Sequence, residues 1–483
     1  MFLVYSLTKS IDMSVRSRIR SGFSETCAPV SDSALLAAAA TNGRINLTGR
    51  GLTCFPAGVL NVGAENAEWW LVEPTTHVDL SFNPLITKLP REIASLAETL
   101  LLLKLRGCGL TSVPDELGMC IFLRCLDLAD NKLSELPESL ATLPALVQID
   151  LSGNIRLSAL PPRLAGLCQL ESLRASGCGL RSLPTDVGAC TRLVDLNVSR
   201  NALTHLPHSL RACTALAHVD VSRNALTSLD ASGWPALATL DVSCNALRPN
   251  SINLKQVPSV LREIRLSDNH DLGGGGGEGV PAMAIADPLF AALGRAPALE
   301  LLAAAECGLT VLPAALRFAR ALAVIDVRNN SISLLPPWIG WIPALRACAV
   351  DGNPLRSLKR SLIAPPAVGG EKAAVGELTA FLRTRATPEE AALYDGEANA
   401  AAAGASLCSA LGGGMGGGRQ GQGREGPLRE VPNGFAQNNF ATNAARPQKL
   451  QEPNDWSPCD LALRAGAEGT PAPPPPTLSR GRP

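Results

Sequence analysis

The residues able to do chemistry in this chain are few and scattered. There are five histidines, His77, His205, His208, His218 and His270. Only His205-x-x-His208 has a spacing that could hold a metal, and neither Cys nor an acidic residue stands at ligand distance beside it. A surface pair on a turn is the expected reading. Fourteen cysteines could mean a disulfide framework, but such frameworks belong to exported chains, and no signal peptide is evident. Cys120 and Cys125 do not form C-x-x-C, and no second pair completes a zinc site. Gly274-x-Gly276-x-x-Gly279 formally matches a dinucleotide fingerprint, yet it opens no clear helix and lacks the βαβ setting that makes such a loop cradle a pyrophosphate. Neither a nucleophile elbow nor a phosphate loop is found. Asn46-Leu47-Thr48 and Asn197-Val198-Ser199 match the glycosylation triplet, but both fall on strands. The residues suggest no catalysis, no metal and no cofactor.

What positions all of these residues is a repeat. Leu123, Leu126, Leu128, Asn131, Leu133, Leu136 and Pro137 follow L-x-x-L-x-L-x-x-N-x-L-x-x-L-P, and the frame recurs at Leu193–Pro207 and Leu322–Pro336. Units begin at 75, 100, 123, 146, 170, 193, 216, 237, 261, 299, 322 and 345, most of them 23 residues apart. Period-two alternation in x-x-L-x-L makes a short strand with its leucines on one side. Stacked strands bury those leucines in a continuous core, which suits a chain that is 46% hydrophobic but only 4% aromatic. The expected fold is an α/β solenoid, a leucine-rich-repeat horseshoe with a parallel concave sheet and a helical or 3-10 convex side begun by Leu-Pro.

Asn83, Asn131, Asn154, Asn201, Asn224, Asn245, Asn269, Asn330 and Asn353 stand where the chain turns inward. Their amides can satisfy backbone groups that would otherwise be buried without partners. Cys108, Cys178 and Cys307 replace Asn in three units and are read as buried members of the same structural ladder. The units around Asn83 and Asn154 carry one extra residue before Leu-Pro, predicting small bulges.

A solenoid needs caps. Residues 1–30 are expected to be a flexible basic segment. Residues 31–74 should hold a cap helix near Ser31–Thr41 and a degenerate first unit at Ile45, Leu47 and Leu52. The repeats are placed at 75–360, interrupted by a Gly-rich insertion at 270–298. A cap helix is placed at 361–388 on the spacing of Val375, Leu378, Phe381 and Leu382. Residues 389–483, rich in Ala, Gly and Pro, are expected to be a disordered tail.

Three stretches carry a family resemblance. They are Gly43-Arg44-Ile45-Asn46-Leu47-Thr48-Gly49-Arg50-Gly51-Leu52 leading to Glu68-Trp69-Trp70, the basic start from Met13 to Phe23, and Asp351-Gly352-Asn353-Pro354-Leu355-Arg356 followed by Glu377–Arg383. On these the chain resembles the leucine-rich-repeat-containing protein 40 family and, more broadly, the intracellular Ras-group type leucine-rich-repeat proteins. The likeness covers roughly Met13 to Pro388. The insertion at 273–298 and the long run from Ala364 to Val375 depart from it. The resemblance implies an intracellular repeat protein without a catalytic domain.

The charge is balanced, with 43 basic and 43 acidic residues, which argues against nucleic acid as a partner. No run of ~18 apolar residues suggests a membrane span. The remaining surface is the concave face. Asp127, Asp150 with Ser152, Asp220 with Ser222, and Asp241 with Ser243 read as common features of the repeat. Lys104, Arg106, Arg174, Asn197, Arg200, Arg223 and Arg265 depart from it. With Asp150 and Asp220 they form the candidate protein-binding patch. The expected protein is a monomeric, non-enzymatic, cytoplasmic scaffold or adaptor, possible organellar transit being the alternative location. Its setting would be small-GTPase-type signalling, the competing reading being an accessory or substrate-recognition subunit of an enzyme complex such as a ubiquitin ligase.

Overall fold

The computed structural model describes residues 43–60, 74–254, 257–273, 288–356 and 371–399. The expected helix at Ser31–Thr41, the Trp69-Trp70 pair and the centre of the Gly-rich stretch lie outside them. Thirteen short strands form one parallel sheet in sequence order, from Arg44–Asn46 to Ala347–Ala349. All twelve units counted in the sequence contribute a strand, and the degenerate unit at Ile45 adds the first, its Ile45 facing Val78. The fold is a leucine-rich-repeat horseshoe.

Leucine alternation builds this sheet as its period requires. Leu103, Leu105, Leu126, Leu128 and Leu196 point inward and are fully buried. The convex side returns through 3-10 turns such as Asp115–Met119, Thr185–Ala189 and His208–Ala212. Proline precedes each of these three turns instead of occupying its first residue. Pro114, Pro184 and Pro207 are extended, with φ from −74° to −64°, and their carbonyls accept the first turn bond. Proline's fixed φ and missing N–H suit that position. Two consecutive units lack Leu-Pro, and there the convex side is a two-stranded parallel ribbon, Leu229–Asp230 with Ile252–Asn253.

Two expectations need correction. The stretch 270–298 is not one loose insertion. His270 to Gly273 follow the strand end, Gly273 N–H bonding Cys307 O at 2.8 Å. The helix Pro288–Leu293 buries Leu289, Phe290, Ala292 and Leu293 in the core, taking the place of a convex turn. Only residues 274–287, at the centre of that stretch, lie outside the description.

The second correction concerns the C-terminal boundary. The cap helix Glu371–Thr384 buries Leu378 and Leu382. It also brings Arg383 Nε to Gly340 O at 2.7 Å. A side chain at Gly340 would meet Thr379 O, so this approach requires glycine. A second helical stretch covers 388–399, inside what composition marked as tail. Trp341 holds it, packing at a 55° tilt against Tyr394 with centroids 5.2 Å apart and donating to Asp395 Oδ1 at 2.7 Å, while Arg317 pairs with Glu397 at 3.3 Å. Three contacts among five side chains tie down a segment whose composition alone carries no core signal.

Cysteine also departs in part from expectation. Ten described cysteines are free, but Cys54 is disulfide-bonded.

Candidate functional site: the concave sheet

Parallel register aligns equivalent residues of successive strands into rows. The row at the last strand position runs Lys104, Asp127, Asp150, Arg174, Asn197, Asp220, Asp241, Arg265, each the Cα partner of the next. At the usual strand spacing that row is ~34 Å long. Six of the nine residues picked from sequence therefore lie on one line. Arg106 stands two residues beyond its strand position, and Arg200 and Arg223 three beyond, at the edge where the chain turns inward.

The acidic members have a local task. Asp79, Asp127, Asp150, Asp220 and Asp241 each accept the N–H two residues on, at 2.9–3.0 Å. That N–H points away from the sheet ladder and would otherwise lack a partner. Asn46 and Asn197 do the same at 3.1 Å. Where Arg174 stands in place of the acid, Ser176 N–H instead uses Ser152 Oγ at 3.2 Å. After Arg265 the next unit, lacking an acid at Ala303, likewise uses Ser267 Oγ for Ala305 N–H at 3.2 Å. Local structure thus asks for Asp or Asn at this position, and Lys104, Arg174 and Arg265 answer some other demand.

Most of the concave arginines are held by acids. Arg174 grips Asp195 Oδ2 at 2.8 Å, Arg106 meets Asp130 at 2.9 Å, and Arg265 meets Glu263 at 2.9 Å and Asp241 at 4.0 Å. Asp195 was not among the residues singled out from sequence. Its signal was its place at the first strand position of the unit after Arg174. Beside the acids runs a line of serines, Ser152, Ser176, Ser199, Ser222, Ser243 and Ser267, with Ser176 Oγ and Ser199 Oγ 2.9 Å apart. Burial lifts the Asp127 carboxyl above the ordinary range, Ala129 N–H partly opposing this. Asp241 is raised in the same way, its Ser243 bonds working against burial.

The thiols have no part in this surface. Burial pushes Cys120 and Cys307 up to about 12, and Cys178, Cys190 and Cys213 up to about 11. Such thiols stay protonated and unreactive. His205 and His208 sit on the convex side, and among the described residues no three His, Cys, Asp or Glu side chains converge on a metal position. No described helix is long and apolar enough to cross a membrane.

The family described as leucine-rich repeats (2 copies) matches residues 121–164, two of the units just described. The chain has the leucine-rich-repeat fold. Over 78 residues it is 35% identical to leucine-rich repeat serine/threonine-protein kinase 1 of Caenorhabditis elegans, a stretch that is 16% of this chain and spans about 3% of the kinase. Among solved structures, an internalin (inlF) of Listeria monocytogenes is similar at 16% identity and TM-score 0.55, over 67% of this leucine-rich-repeat chain and 85% of that one. The functional domain of InlJ of Listeria monocytogenes, which includes a cysteine ladder, matches at 20% identity and TM-score 0.50, over 67% of this chain and 66% of that domain. At these identities the two structures share the fold.

Proposed function

We propose that this protein is a non-catalytic scaffold that holds a partner protein on its concave sheet. The observation that carries this reading is the replacement of the backbone-capping Asp by Lys104, Arg174 and Arg265. A residue that gives up a local structural task on an exposed face is best accounted for by an external contact. Rows of alternating charge along a rigid surface give partner selectivity and register more than raw affinity. The resemblance to leucine-rich-repeat-containing protein 40 and the Ras-group proteins supports a cytoplasmic, small-GTPase-type signalling context. The ten free described cysteines support a reducing compartment, and the bonded Cys54 is the observation against it.

The test is affinity capture with mass spectrometry by the full chain, beside an Arg174→Glu, Arg265→Glu variant whose circular dichroism is unchanged. Partners present with the wild type and absent with the variant support the concave site. Identical partner sets count against it, and the absence of any small GTPase or its regulators from the specific set counts against the signalling context.

A further inference from the structure

The residue preceding each ladder Asn or Cys is left-handed, with φ between +53° and +77°. Glycine takes this position at 107, 153, 177 and 352, and Asp or Asn at 130, 268 and 329, the types that enter the region with least strain. Arg200 and Arg223 occupy it in two consecutive units, at φ +56° and +55°. Their backbones are bonded in the same way, Arg200 N–H to Ser222 O and Arg223 N–H to Ser243 O, each at 2.8 Å. Near-equal φ and matching backbone bonds at equivalent positions start the two side chains, at their Cα–Cβ bonds, in the same direction, one strand spacing, or ~4.8 Å, apart at the backbone.

Their charges are unanswered. Arg106, Arg174, Arg265 and Arg328 each hold a carboxylate, whereas neither Arg200 nor Arg223 has an ion pair among the described residues. Adjacent like charges repel, so the pair costs the fold something in both strain and electrostatics. On one flank Gly177 leaves the line open, while at Gly153 the Asp130 carboxylate, held by Arg106, lies over the glycine. Just past them stands Ile155, 77% exposed, an apolar side chain about two strand spacings, or ~10 Å, from Arg200.

We propose that Arg200 and Arg223 form a clamp for one phosphate monoester on a side chain of the partner protein, with the open position at Gly177 receiving the partner's backbone and Ile155 contacting an apolar residue nearby. Two neighbouring guanidiniums match a group of charge near −2 bearing three acceptor oxygens, while a single carboxylate would balance only one of the two charges. This inference rests on the concave-sheet reading, which it narrows to a phosphorylated partner.

The test uses the full chain and a fluorescein-labelled synthetic peptide carrying one phosphoserine three residues from a leucine, followed by anisotropy. Its unphosphorylated twin, a glutamate twin, and inorganic phosphate as competitor complete the set. The phosphopeptide should bind about tenfold or more tightly than either twin, since each charge-assisted hydrogen bond is worth roughly that factor. Arg200→Gln with Arg223→Gln should reduce it to the level of the twins, and Arg328→Gln, whose arginine is already paired with Asp326 and lies outside the candidate patch, should leave it unchanged. Equal binding of all three peptides, or full binding by the double variant, overturns the clamp, as does no binding at all. Phosphatase treatment of captured material separates the two proposals. A partner that survives phosphatase but is lost from the Arg174→Glu, Arg265→Glu variant leaves the concave site standing and removes the phosphate clamp.

Discussion

Cys178 reaches back to the unit of Asn154 and donates its thiol to Leu151 O at 3.3 Å, while Leu157 N–H in that unit is bonded to the carbonyl of Asn154 itself at 2.9 Å. The same pair of bonds recurs at Cys108 with Asn83, where Ile86 N–H takes Asn83 O at 3.0 Å, and at Cys307 with Asn269, where Leu272 N–H takes Asn269 O at 2.9 Å. In all nine units with a ladder Asn, its Oδ1 accepts an N–H from the preceding unit, as Asn131 does from Leu110 and Asn154 from Leu133. One extra residue in the preceding turn closes that N–H on its own unit. The next ladder residue then needs only a donor, and a thiol suffices.

Cys178→Ser should therefore leave stability nearly unchanged. Cys178→Ala removes the one donor and should cost about 1 kcal/mol, the net worth of a hydrogen bond. Asn131→Ala should cost about 3 kcal/mol, because it leaves Leu110 N–H and several carbonyls buried without partners. Urea unfolding midpoints at constant m-value check the series. An alanine at Cys178 as harmful as one at Asn131 would contradict this division of roles.

Asp127→Asn should raise the thermal midpoint at pH 7. Asn keeps the acceptor for Ala129 N–H, as Asn197 does for Ser199, and removes a carboxylate that is 3% exposed. Because burial raises this carboxyl in the folded state, its ionisation weakens the fold, and the penalty appears as pH rises through the carboxylate range. The advantage of Asn should shrink on acidification below the ordinary Asp range, where the wild type is already neutral. An unchanged difference across pH would contradict the assignment.

The buried thiols predict alkaline sensitivity. Their folded-state values of about 11 and about 12 lie above the ordinary value of 9.0, so the folded state holds these protons more tightly than the unfolded chain does. Their contribution is complete below about pH 9 and is lost progressively as pH rises through 11 to 12. Unfolding midpoints should fall steadily above pH 9, and Cys190→Ala with Cys213→Ala should flatten that fall. Alkylation of the native protein at pH 8 should reach exposed Cys168 before any of them. Prompt labelling of Cys120 or Cys307 would contradict their burial.

Much of this architecture was legible because the leucine period is a direct consequence of strand geometry, repeated often enough to fix every strand. What was not legible depended on contacts between units. Arg174 and Asp195 are 21 residues apart and meet only because adjacent strands are in register. The helical stretch to residue 399 is held by Trp341 and Arg317, which lie far away in sequence and carry no sign of what they receive. The interruption is narrower than composition suggests, because Pro288–Leu293 has no Leu-Pro mark yet its apolar residues fill the core as a convex turn would. The left-handed placement of Arg200 and Arg223 was likewise invisible without the turn geometry.

The most direct test of the concave site is steric. Ser176→Trp with Ser222→Trp places bulk on the concave serine line, and Glu138→Trp with Arg163→Trp places the same bulk on the convex side. Each full-length variant, with its fold confirmed by circular dichroism, is compared with the wild type for quantitative recovery of captured partners. Loss of the specific partners from the concave variant alone is the predicted result. Their retention by the concave variant, or their loss from the convex one, would contradict binding on the concave sheet.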